Sequence, residues 1–103
     1  MPDQPPAVVD HPERRQFEIA VGDQVAFAEY RLVEGGMMFT HTEVPPGLEG
    51  RGLGKALILA GLAAARERGL KVLPVCTFFA AYMKKHPETH DLLHPDYRAV
   101  LGV

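Results

Sequence analysis

Between residues 45 and 58 the chain reads PPGLEGRGLGKALI, two prolines and four glycines directly ahead of a run of helix formers. Pro45 and Pro46 cannot donate to a β-ladder, so a strand that runs into them ends there. Glycine at the start of a helix lets the backbone turn sharply and bares successive amide N–H groups, at an entropic cost that packing alone seldom requires. The stretch therefore predicts strand, loop and helix in that order. The alternate glycines Gly50, Gly52 and Gly54 predict an anion, most simply a phosphate, against the amides from Gly50 to Lys55. A strained turn without a ligand is the other reading of the same residues.

The flanking segments supply the rest of the fold. QFEIAV (16–21) alternates as a half-buried strand does, and Gly22-Asp23 turns it into QVAFAEYRLV (24–33). Glu34-Gly35-Gly36 turns again into MMFTHTEV (37–44), completing a predicted three-stranded antiparallel meander. A helix is expected from about Gly52 to Arg68, with Leu53, Leu57, Ala60 and Ala64 on its apolar face and Gly69 at its left-handed end. LKVLPV (70–75) reads as a buried strand parallel to the third, reached by a right-handed crossover. TFFAAYMKK (77–85) reads as a second helix stopped by His86-Pro87, with Phe78, Phe79, Met37 and Met38 assigned to the core. The tail from His86 offers at most a short turn of helix. The fold class is thus α/β (α+β), a mostly antiparallel sheet with one β-α-β unit and two main helices.

With 103 residues, the chain is expected to hold a single domain over 15–103. Four of the nine prolines fall in the first fifteen residues, which predicts a flexible arm over 1–14. A formal net charge of -2 gives no broad field toward nucleic acid or anionic lipid. The single cysteine, Cys76, cannot form an internal disulfide, and no apolar run suits a signal peptide or membrane helix; a cytoplasmic protein is expected. A monomer or weak dimer is the expected assembly.

Spacing decides among the glycine signatures. A Walker A loop needs glycine where the chain has Glu49 and a hydroxyl where it has Ala56. Counted from Gly50 and Gly52, the third glycine of the dinucleotide fingerprint falls on Lys55. Gly47-Leu48-Glu49-Gly50 as a GXXG clamp needs a preceding helix, which Pro45-Pro46 forbids. His86, His90 and His94 recur every four residues, but Pro87 and Pro95 interrupt any continuous helix that would align them, and no metal is expected.

Strand, proline-bounded loop and GRGLGKALI opening a helix together resemble the GNAT superfamily of acyl-CoA-dependent N-acyltransferases, in particular its short stand-alone branch. Gly52 and Gly54 match the glycines of the family's Gln/Arg-x-x-Gly-x-Gly/Ala loop, with Glu49 where Gln or Arg is usual. CTFFAAYMKKHPE is similar to the family's Tyr-x-Lys helix through Tyr82 and Lys84, with Cys76 near the position of its Asn. The resemblance covers about residues 15–95. It implies a reduced version of that fold, acetyl-CoA as acyl donor and an unidentified amine as acceptor. The implied cofactor residues are Val44, Gly50, Arg51, Gly52, Leu53, Gly54 and Lys55.

Direct attack by the amine needs only a base for an ammonium proton and amides for the developing oxyanion. His41 and Glu43 share one face of the third strand beside the loop, so either can be that base; a half-exposed strand face is the plainer reading of both. Tyr82 is the candidate acid for the departing thiolate, or else an aromatic packed on the sheet. Cys76 is either a small buried hydrophobe or a thiol facing the thioester that can accept the acyl group. Acetyl transfer to an amine is the expected function; a non-catalytic CoA-binding or protein-interaction module is the alternative, and RNA binding through Gly47 to Gly50 is disfavoured by the charge.

Overall fold

Alternation of apolar and polar residues builds one half-buried sheet, and a computed structural model describes it over residues 7–103. The strands are β1 (Val9–His11), β2 (Gln16–Val21), β3 (Gln24–Val33), β4 (Gly36–Glu43) and β5 (Lys71–Pro74), ordered β1-β2-β3-β4-β5. All neighbours are antiparallel except β4 and β5, which run parallel. The crossover between them carries α1 (Leu53–Glu67); α2 (Thr77–Lys85) and α3 (Pro95–Leu101) follow β5. This is the expected α+β arrangement with its single β-α-β unit. None of the described helices is long and apolar enough to cross a membrane.

One face of the sheet carries the core. Phe17 and Ile19 of β2, Ala26, Ala28 and Tyr30 of β3, and Met37 and Phe39 of β4 are buried beneath Leu53, Leu57, Ile58, Leu62 and Ala65 of α1. The Phe39 ring stacks on Phe79 of α2 with centroids 4.1 Å apart and planes 10° from parallel. Gly61 of α1 lies over that pair, and a Cβ built there would stand 2.8 Å from Phe39 Cε1 and Cζ. The absence of a side chain at Gly61 lets α1 settle onto the aromatic stack.

Four expectations need correction. The meander has four strands, because part of the region read as an arm is β1: Val9–His11 pairs with β2, and Asp10 accepts hydrogen bonds from the buried Tyr30 hydroxyl (2.7 Å) and from Arg68 (2.9 Å). Residues 1–6 lie outside the described residues. The tail holds more than one turn: a 3₁₀ segment, Pro87–Leu92, and α3 fold back, with Leu92 and Leu93 buried and Leu93 bridging Val72 of β5. Arg66 of α1 clamps this segment through Asp91 at 2.7 Å. Phe78 is half-exposed whereas its neighbour Phe79 is buried, because successive helical positions point about 100° apart. Met38 is likewise only part-buried, on the sheet face opposite Met37.

Gly61→Ala would gain about 1 kcal/mol of helix propensity. Its methyl group would also press on a ring already stacked against Phe79, and such overpacking costs about 1–3 kcal/mol. We expect a lower melting temperature for the alanine variant in thermal denaturation; an unchanged or higher one would show that the Phe39 ring has room to move.

Candidate functional site

β4 runs into the glycine loop. After Glu43 the chain passes Val44 and Pro45, makes a 3₁₀ turn over Pro46–Leu48 that buries Leu48, and reaches α1 through Gly50 and Gly52. Gly50 has φ +83° and Gly52 φ +76°, a left-handed conformation that L side chains rarely adopt. Gly52 is the N-cap of α1, no side chain caps the helix, and its first turn holds no acidic residue. The first helical hydrogen bond runs from Ala56 N–H to Gly52 C=O at 3.0 Å, so the amides of Leu53, Gly54 and Lys55 have no intrahelical acceptor. A Cβ added at Gly50 or Gly52 would meet nothing within 4 Å. The amides thus border a cleft of about 330 Å³ lined by Val44, Leu48, Glu49, Gly50, Gly52, Leu53, Gly54, Lys55 and Phe78. Of the expected cofactor residues only Arg51 is not on its wall; it is exposed beside it.

The second element is the parting of β4 from β5. Their pairing runs from Gly36↔Lys71 to Phe39↔Pro74, and a last bond joins Cys76 N–H to Phe39 C=O at 2.8 Å. The amide next in line, Val75 N–H, turns back to Leu73 C=O at 3.0 Å and is lost to the ladder. From Thr40 onward β4 pairs with β3 alone, leaving its β5-facing edge without a strand partner.

A bulge lies at the same point. Tyr30 faces Phe39 while Glu29 faces His41, so Thr40 is an extra residue that reverses the alternation of β4. Thr42, opposite the buried Ala28, consequently faces the helices, where the Cys76 thiol donates to its hydroxyl at 3.3 Å. His41 and Glu43, opposite Glu29 and Phe27, face the other way and are exposed. Their side chains approach to 3.8 Å between Nε2 and Oε2, and the His41 ring lies 5.9 Å from that of Phe27. β4 thus carries the Cys76 partner on one face and the His41/Glu43 pair on the other.

Two further carboxylates lie on this outer face. Glu29 accepts from Thr40 at 3.0 Å, and Glu18 lies next to Phe27 on the β2 side. Hydrogen bonds from the Arg14 guanidinium hold the Glu18 carboxyl down at about 2, so it is ionised at neutral pH.

Tyr82 stands elsewhere. It lines a groove of about 340 Å³ between α1 and α2, with its ring stacked on His86 at 3.9 Å. The three spaced histidines take separate local partners: His86 pairs with Glu88, His90 bonds Met83 C=O at 2.8 Å, and His94 Nδ1 accepts from Asp96 N–H. Two contributors escape the sequence reading. Thr42 is named only by the bulge, and Phe78, which lines both the glycine cleft and the α1/α2 groove, looks like core from composition alone.

The family model described as GCN5-related N-acetyl-transferase matches residues 16–92. This chain is a member of the GCN5-related N-acetyltransferase family. Protein NATD1 of Gallus gallus is 34% identical over 97 residues, covering 86% of this chain and 84% of its own, and that of Mus musculus is 34% identical over 90 residues, covering 80% and 78%. A GCN5-like protein from Staphylococcus aureus, solved by NMR in solution, superposes with a TM-score of 0.69 at 27% identity, covering 85% of this chain and 87% of its own. The match of the acetyltransferase family ends at 92, so it takes in the glycine loop, β5 and α2 and stops short of α3.

In this acetyltransferase-family loop, a side chain at Gly52 has open space but the wrong backbone. Gly52→Ala should therefore lower the unfolding free energy of the ligand-free protein by about 1–2 kcal/mol, the cost of forcing an L residue into the left-handed region. Urea denaturation measures it, and a loss near zero would show that the loop relaxes out of that conformation.

Proposed function

We propose that the protein transfers an acetyl group from acetyl-CoA directly to an amine. The observation that carries this reading is continuity: the unpaired edge of β4 leads, through the single 3₁₀ turn of Pro46–Leu48, into the bare amides of Leu53, Gly54 and Lys55. A donor with its phosphates on those amides can lay its thioester back along β4. Lys55, on the first turn of α1, adds positive charge where the helix dipole already favours an anion.

Glu43 takes a proton from the incoming ammonium, with His41 at 3.8 Å to orient it or share the charge. The neutral amine attacks the thioester carbonyl carbon, a C–N bond forms, and the oxyanion is held by β4 amides that no β5 residue engages. The nitrogen gives up its second proton to solvent, the C–S bond breaks, and the thiolate leaves and takes up a proton from solvent. A thiol of ordinary pKa about 8.5 is a good leaving group near neutral pH, so no strong acid is required and Tyr82 enters this reading as part of the cofactor groove. Cys76, with its thiol bonded to Thr42 on the helix-facing side, positions β4 against α2.

A second reading, a non-catalytic CoA-binding or interaction module, is favoured by the openness of the face that carries His41 and Glu43. Calorimetry with acetyl-CoA, followed by thiol-release assays against pooled amines and peptides, separates the two: binding without turnover favours the module, and absence of binding removes both.

Given an acceptor that turns over, Glu43→Gln should lower kcat by about 10²-fold or more, the usual size of a general-base contribution, with little change in CoA affinity. His41→Asn should have a smaller effect. Parental rates in both variants would place the base elsewhere. Intact-mass measurement after brief incubation with acetyl-CoA and no acceptor should show no acetyl adduct, and Cys76→Ala should retain turnover; a stoichiometric, kinetically competent adduct absent from that variant would replace direct transfer with an acyl-enzyme route.

A further inference from the structure

A second gap opens within the sheet, between β2 and the end of β3, where β3 turns into β4; the glycine loop follows the other end of β4. β2 begins at Gln16, opposite Glu29, so the last residues of β3 run past it. Tyr30 N–H still reaches Arg15 C=O at 2.9 Å, but among the described residues no strand lies beside Arg31, Leu32 and Val33 on the β2 side. Successive residues of a strand turn their backbone groups to opposite edges. Tyr30 is turned toward β2, so Leu32 is too, and its N–H and C=O open into a notch of about 490 Å³. The turn Pro12–Arg15, closed by Arg15 N–H on Pro12 C=O at 3.1 Å, blocks one end of this notch.

Arg15, Arg31 and Arg68 line the notch beside the exposed side chains of Leu32 and Val33, and no lining residue is acidic. Arg68 is paired with Asp10 at 2.9 Å, whereas Arg15 and Arg31 form no ion pair among the described residues. Glu13 and Glu29 border an adjoining hollow that shares Arg15 and Arg31; there Glu13 engages His11 and Arg14, and Glu29 accepts from Thr40. Arg15 holds φ +55°, the one non-glycine left-handed residue among those described. Glycine would relieve the cost of that conformation; arginine instead puts a guanidinium at the closed end of the notch.

An extended peptide fits these features together, because its backbone can pair with Leu32 while a carboxylate meets the arginines. Charge sets its direction. A strand antiparallel to β3, as β2 is, would end with its C-terminus at Arg15, whereas a parallel one would bring an N-terminal ammonium against the guanidiniums. We infer that the notch captures the free C-terminus of a peptide chain, added to β3 as a short antiparallel strand with its α-carboxylate at Arg15. Its last residue lies opposite Arg31 and suits an acidic side chain, and the one before it lies opposite Leu32 and suits an apolar one.

Calorimetric titration of the full chain with N-acetyl-Thr-Val-Leu-Glu, as the free acid and as its C-terminal amide, tests it, using the parent, Arg15→Gly and Arg31→Ala. Both arginines are exposed and glycine keeps the left-handed turn, so both variants should fold like the parent, which a thermal melt checks. The parent should bind the acid about tenfold tighter than the amide, the scale of a charge-assisted hydrogen bond, and the Leu32 amide resonance should shift as peptide is added. Arg15→Gly should bind acid and amide alike, and Arg31→Ala should weaken both while keeping the preference. Equal affinity of the parent for the two, a preference for the acid that survives Arg15→Gly, or binding that leaves the Leu32 resonance unmoved would each overturn the inference. So would saturable binding of inorganic phosphate without binding of the peptide, which would make the notch a site for small anions. Failure of the free acid to bind the parent would remove it altogether.

Discussion

Phe39 is the residue on which the sheet, both main helices and the parting of the strands depend. Its ring is stacked on Phe79 of α2 and covered by α1 at Gly61, while its carbonyl receives the Cys76 N–H at 2.8 Å. That bond is the last backbone hydrogen bond between β4 and the chain that follows β5 among the described residues. The Val75 N–H just before it turns back to Leu73 C=O and Thr40 forms the bulge against β3, so the two parallel strands lose their means of pairing while the aromatic stack keeps their other ends together. An opened strand edge is thus a consequence of where the hydrogen-bond ladder stops, with no flexible element needed to produce it.

What lies around that edge follows from the same bulge. A regular β4 would have put His41 and Glu43 on the helix side with Phe39, inside the core, where an ionised pair would have been desolvated. The extra residue instead turns both outward among Glu18 and Glu29 and turns Thr42 inward to meet Cys76. The exposed carboxylate of Glu43 suits an ammonium acceptor, and the bare amides at the start of α1 suit an anionic donor. The two charge preferences are separated by β4 itself.

Gly50 and Gly52 both adopt left-handed backbone in a loop with open space above it, and the helix they introduce is left without a side-chain cap. A cap of Ser, Thr, Asp or Asn in place of Gly52 would have stabilised α1 by only about a few tenths of a kcal/mol. It would also have occupied the donors that an anion needs, so a less stable helix start is what keeps the amides available.

Much of this was legible from short-range chemistry. The limits of Gln16–Val21, Gln24–Val33 and Thr77–Lys85 agree with those read from alternation, turn glycines and His86-Pro87, because such signals act within a few residues of the boundary they mark. The glycine loop, its place at the start of α1 and the parallel return of β5 were equally plain. The family-model match over residues 16–92 takes in these local motifs. Other features were decided only when distant segments met. Val9–His11 became a strand because Asp10 meets Tyr30 and Arg68, and the tail became ordered because Leu92 and Leu93 found the flank of α1 and β5. The bulge at Thr40, the pairing of Cys76 with Thr42 across 34 positions and the exposure of Phe78 beside buried Phe79 belong to the same group. In each case the deciding energy comes from a contact between elements far apart in the chain, and local sequence carries turn, cap and periodicity but not the surface that a residue will eventually face.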